Sequence, residues 1–126
     1  MKKIWIIVIA CSLFTVLFAG CAIVDTSTMP TGPTVHMSGA DFVQHSITIK
    51  KGQSLTLIDD ASSEHIITNG TWDNGVAKPM NEPGAPKVYQ TFNGNDSATI
   101  GPWNTPGTYH LYCTIHQNMN LTVIVK

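Results

Sequence analysis

The chain has 126 residues, 12% of them charged and 43% hydrophobic, and a formal net charge of −1, the size and balance of a single exported or soluble domain. Seven lysines, no arginine and eight acids supply no basic stripe, which excludes a nucleic-acid partner.

The N-terminus opens on Met1-Lys2-Lys3, runs uncharged from Ile4 to Phe18 and ends in Ala19-Gly20-Cys21. A positive start, an apolar stretch too short for a comfortable membrane crossing and small residues at its end predict an export signal over 1–20. Leu17-Phe18-Ala19-Gly20-Cys21 resembles the lipobox of bacterial lipoproteins, with Phe18 where a leucine is usual. That resemblance implies cleavage before Cys21, lipid on its sulfur and a domain anchored on the outer side of a bacterial membrane. Cys11 then leaves with the signal, so Cys113 is the one free thiol of the mature chain and no intramolecular disulfide forms. Loss of the signal leaves five lysines against eight acids, a net charge of −3.

Residues 21–34 are rich in Asp, Thr, Ser, Pro and Gly without periodicity and predict a flexible tether. From 35 to 126 short β-rich runs alternate with turn residues, and no helical period is sustained. Ile47-Thr48-Ile49 and Leu55-Thr56-Leu57 flank Lys51-Gly52 and predict a hairpin. Ile66-Ile67-Thr68 follows His65; Val88 to Phe92 and Ser97 to Ile100 are separated by Asn93-Gly94-Asn95-Asp96. Residues 71–87, dense in Gly, Pro and Asn, predict an ordered loop with at most a brief helical turn. Thr108 to Cys113 and Leu121 to Val125 close the chain. Roughly seven or eight short strands at this spacing predict an all-β antiparallel sandwich.

The chemistry concentrates in Cys113-Thr114-Ile115-His116-Gln117-Asn118-Met119, between two strands. Alternation puts Tyr109, Leu111 and Cys113 on the core face of their strand, and Thr108, His110 and Tyr112 on the other. A core-facing cysteine is ordinarily just buried. His116 and Met119, each three residues further on, can fold back beside it, and thiolate, imidazole and thioether together are a soft set suited to copper. A trigonal copper site needs a second imidazole. His110 points away from Cys113, and His36 has no supporting pattern. His65, between the polar turn Asp59-Asp60-Ala61-Ser62-Ser63-Glu64 and an apolar strand, is favoured; His45, in phase with Ile47 and Ile49 and expected to be partly buried in a strand, is the other candidate.

Phe42-x4-Ile47-Thr48-Ile49-x2-Gly52-x2-Leu55-Thr56, His65 and Gly107-Thr108-Tyr109-x2-Tyr112-Cys113-x2-His116-x2-Met119 together resemble the cupredoxins of the plastocyanin and amicyanin type. The short His116-to-Met119 spacing is more similar to amicyanin's. The resemblance implies a Greek-key sandwich with one mononuclear type 1 copper at its loop-bearing end, His65, Cys113 and His116 in plane and Met119 axial. Ile66 stands where the family often has an asparagine, so the outer contact to the sulfur falls to backbone.

The expected function is one-electron carriage by an exported, monomeric blue copper protein, with no catalysis and with a redox protein such as a c-type cytochrome or an oxidase as partner. An apolar rim around an exposed His116 edge suits brief docking, with Pro79, Met80 and Trp103 as candidates for it or, equally, for the core; Tyr112 is a second candidate exit, or a sheet-surface tyrosine. The alternative keeps the ligands and changes the task to copper carriage or resistance. A Cys–His nucleophile lacks an orienting carboxylate and leaves Met119 without a purpose, and thioether is a poor ligand for zinc. The sequons at Asn69, Asn95 and Asn120 are expected to be chance.

Overall fold

The computed structural model describes residues 32–126. The predicted signal, Cys21 with its expected lipid and all but the last residues of the predicted tether lie outside them. Nine strands follow in order: β1 (Thr34–Met37), β2 (Ser46–Ile49), β3 (Leu55–Asp59), β4 (His65–Asp73), β5 (Val76–Pro79), β6 (Tyr89–Phe92), β7 (Ser97–Ile100), β8 (Gly107–Cys113) and β9 (Asn120–Val125). They form two sheets, β1-β3-β7 and β2-β9-β8-β4-β5 with β6 also on β4. The all-β sandwich is as expected, with one strand more than the highest count predicted, and both sheets are mixed: β1 runs parallel to β3 and β2 parallel to β9.

Alternation builds the core. Leu55, Leu57 and Asp59 of β3, Val35 and Met37 of β1, and Tyr109, Leu111 and Cys113 of β8 all point into the space between the sheets. Leu121, Val123 and Val125 of β9 and the fully buried Phe92 and Trp103 complete it. Each such aliphatic or aromatic side chain contributes about 1.5–3 kcal/mol on burial.

Four local expectations change. The run around Lys51-Gly52 is not a hairpin: Ile47 and Ile49 pair with Val123 and Val125, whereas Leu55 and Leu57 pair with Ile100 and Ala98 in the opposite sheet. The turn between them crosses the sandwich, held by Lys51 N–H to Lys126 O and Gly52 N–H to Trp103 O. The segment expected as loop begins with a hairpin instead. Asn74 (φ 50°) and Gly75 (φ 77°) both take positive φ, the turn that matches strand twist, and join β4 to β5.

Where β4 bends into that hairpin, Gly70 has φ 134° and a Cβ there would strike Lys78 O and lie 2.8 Å from the Tyr112 ring. The hairpin covers the outer face of β8, so Tyr112, which parity does turn away from the core, is nevertheless 3% exposed, edge-on to Trp72 at 6.0 Å. It is no surface tyrosine. Trp103 takes the core alternative, beside Tyr109, whereas His45 precedes β2 and is exposed, not partly buried within a strand as expected.

The remaining loop is tied down by polar side chains. Both Glu82 oxygens are used by His110, one by its backbone N–H and one by Nδ1, each at 2.7 Å. Asn69 accepts from Val88 N–H and donates to Pro86 O, and Asn120 does the same for the Trp72 backbone. Two of the three sequon asparagines thus have structural work of their own.

Candidate metal centre

Two strands and a loop deliver the donors. His65 opens β4 and Cys113 ends β8, and the register Ile67↔Cys113 sets the two side by side at one end of the sandwich. His116 follows in the connection to β9. That connection is closed twice: Met119 N–H donates to His116 O at 3.3 Å and Cys113 N–H to Met119 O at 3.1 Å. The tight turn requires positive φ at its third residue, and Asn118 supplies it at 66°, a conformation asparagine tolerates. The sequence spacing therefore becomes a compact loop that returns His116 toward the Cys113 sulfur.

The donor atoms of His65, Cys113 and His116 lie within 4.8 Å of one another, an arrangement that can hold a metal ion. His116 Nδ1 is 3.1 Å from His65 Nδ1 and 3.5 Å from Cys113 Sγ. The two rings meet edge to face, centroids 4.7 Å apart. Two nitrogens of the same kind converging with a free thiol make a poor hydrogen-bond arrangement and a natural chelate. His65 and Cys113 are fully buried and His116 half-buried, so the cluster is shallow on the His116 side only. Met119 is 1% exposed and packs with Cys113 in the same core.

Burial pushes the His65 imidazole below its ordinary value; the Asp59 carboxylate opposes this, His116 adds to the lowering, and the Ser38 backbone opposes it. A neutral imidazole is the form that ligates. The donor set of one thiol and two imidazoles fits copper, as does the rigid, hydrogen-bonded frame that holds it.

Of the other histidines, His36 pairs with Asp60 at 2.7 Å, His110 with Glu82, and the exposed His45 lies 3.8 Å from Asp41; none joins the cluster. Sequence reasoning missed two participants. Trp72 Nε1 donates to Cys113 O at 2.8 Å, and Asp59, read as part of a polar turn, is buried behind His65. The in-phase series Leu55, Leu57, Asp59 carried the second signal; nothing local marked the first. Pro79 and Met80 line a groove with Thr68, Asn69, Val88 and Tyr89, while it is Gly75, at the hairpin tip, that meets the ligand-bearing loop by accepting from Gln117 Nε2.

The chain has the cupredoxin fold, of the amicyanin-like kind. It superposes on amicyanin from Paracoccus versutus with a TM-score of 0.60 and 18% identity, over 79% of this chain and 86% of that one. A purple cupredoxin from Nitrosopumilus maritimus gives 0.58 and 17%, over 75% of this chain and 99% of that one. The copper-containing nitrite reductase of Thermus scotoductus gives 0.59 and 17%, over 78% of this chain and 23% of that longer one. No protein-family model matches the sequence, and no curated protein matches it.

Proposed function

We propose that the protein is an exported, non-catalytic carrier of single electrons whose one copper ion is held by Cys113, His65, His116 and Met119. The observation that carries this reading is the convergence of the two Nδ1 atoms at 3.1 Å beside the Cys113 sulfur, on a cupredoxin frame. A bound copper ion would supply the one-electron chemistry between cupric and cuprous states. The chain's own part is to hold donors that suit both states and to exclude water: His65, Cys113 and Met119 are buried, and the loop bearing His116 is fixed by its two backbone bonds. His116, half-buried, is the side from which a partner reaches the site. A c-type cytochrome or an oxidase is the kind of partner that fits, and the mature charge of −3 suits a basic docking surface. Monomeric behaviour and a lipid anchor on Cys21 complete the proposal.

The full-length chain, purified and titrated with Cu(II), is expected to give intense visible absorption, a type 1 electron paramagnetic resonance signal, bleaching by ascorbate and reversible voltammetry. A colourless complex, or one without reversible voltammetry, refutes it. Rapid copper exchange with slow electron self-exchange would instead assign the same ligands to copper delivery.

A further inference from the structure

Two buried polar atoms behind the metal cluster have no hydrogen-bond partner among the described residues: His65 Nε2 and, on Asp59, Oδ2. The Asp59 carboxylate approaches His65 Nε2 through Oδ1 at 3.7 Å, with both side chains 0% exposed. That is longer than a hydrogen bond but well inside ion-pair range. The pairing is built by the strand rather than by a loop. Asp59 follows Leu55 and Leu57 on the inward face of β3, and its backbone N–H is fixed on Asp96 O. A carboxylate is rarely buried unless it is paired, and its neighbour Asp60 shows the ordinary alternative, exposed and bonded to His36. Among the described residues Oδ1 accepts only the Ala61 N–H, at 3.1 Å.

The His65 ring presents Nδ1 to His116 and Cys113. A metal on Nδ1 obliges the ring proton to sit on Nε2, and in a dry interior that N–H needs an acceptor. Two acceptors are at hand. One is Asp59; the other is the Ser38 carbonyl, since the Ser38 N–H and hydroxyl are both spent on Asp41 O. A carbonyl only orients the ring, whereas a carboxylate also raises its basicity as a ligand.

We propose that Asp59 is a positioning residue for the metal centre: its carboxylate accepts the His65 Nε2 proton, fixes Nδ1 toward Cys113 and His116, and lowers the reduction potential by placing negative charge behind the ring. The inference rests on the copper reading above. Negative charge near the site favours the more positive oxidation state, which fixes the sign.

The test compares copper-loaded full-length wild type with Asp59→Asn and Asp59→Leu by voltammetry and electron paramagnetic resonance, and records the His65 ring N–H of the diamagnetic Cu(I) form by nitrogen-edited NMR. Asp59→Asn keeps an acceptor and removes the charge; it is expected to shift the balance of Cu(I) over Cu(II) affinity about tenfold, roughly 59 mV upward for one electron, with the visible absorption kept. Asp59→Leu is expected to raise the potential as well and to broaden the resonance spectrum, because the ring loses its acceptor. The wild-type Nε2–H is expected to be slowly exchanging and strongly deshielded, and to move in Asp59→Asn. An unchanged potential in Asp59→Asn assigns the ring to Ser38 alone and overturns the proposal. A wild-type Nε2–H that is unprotected overturns it too, even if neither variant folds. A wild type without a coloured, reversible copper site fails the copper reading itself, a result distinct from equality between wild type and Asp59→Asn.

Discussion

The Trp72 indole Nε1 donates to the backbone carbonyl of Cys113 at 2.8 Å, so the strand end that carries the thiol is clamped from outside the core by the β4–β5 hairpin. Asn120 holds the same tryptophan by its backbone, donating to Trp72 O and accepting from Trp72 N–H. Trp72→Phe keeps a ring against Tyr112 and removes the donor. Leaving a largely buried carbonyl unpaired costs about 1–3 kcal/mol. Urea unfolding of the metal-free variant is expected to show that loss, with faster release of copper to a chelator; unaltered stability and release would mean that the clamp has no energetic role.

Gly70 is where β4 turns out of its sheet to begin that hairpin. Gly70→Ala meets Lys78 O, crowds the Tyr112 ring at 2.8 Å and must hold φ at 134°. Overpacking and backbone strain together amount to about 2–4 kcal/mol, a fall in Tm of roughly 10–20 °C. A calorimetric scan in which the variant melts with the parent would show that the hairpin can re-seat without cost.

The cluster was legible in the sequence because most of it is local. Cys113, His116 and Met119 lie within one short loop, and strand parity alone separates Cys113 from His110. His65 needed only its place between a polar turn and an apolar strand. What escaped was tertiary. The partners of Ile47 and Leu55 are chosen by complementary faces of β9 and β7, which no turn signal between them reveals. The Asn74-Gly75 turn was a readable hairpin signal, masked by the glycines, prolines and asparagines that follow it. Tyr112 is buried only because that hairpin folds over it, and Asp59 looked like a turn residue because its neighbours Asp60 to Glu64 are polar.

Ligand substitutions separate the histidines. His65→Ala is expected to abolish the coloured copper site, because His65 Nδ1 is one of the two converging imidazole nitrogens. His45→Ala is expected to leave it intact, since that side chain is 69% exposed and its nearest charged group is Asp41. Met119→Leu preserves apolar bulk in a residue 1% exposed, so it is expected to keep the colour and raise the potential. Optical titration and voltammetry of the three variants decide the matter, and a colourless His45→Ala would transfer the second imidazole to that residue.

The metal-free protein should lose stability on mild acidification, and the sign follows from His65. Its ordinary value of 6.5 is lowered in the fold chiefly by burial, so the unfolded chain takes up a proton more readily than the native one. Stability is therefore complete above about pH 6.5 and falls as pH drops from there toward the lowered native value, below which this group adds no further slope. Copper on Nδ1 competes with the same proton, so the loaded protein should release metal more readily across that window. Urea titrations of the metal-free chain at several pH values, with His65→Gln as control, check this directly. The control is expected to flatten the profile below about pH 6.5; an equal slope in both would place the acid sensitivity on another group and leave His65 neutral for reasons other than its burial.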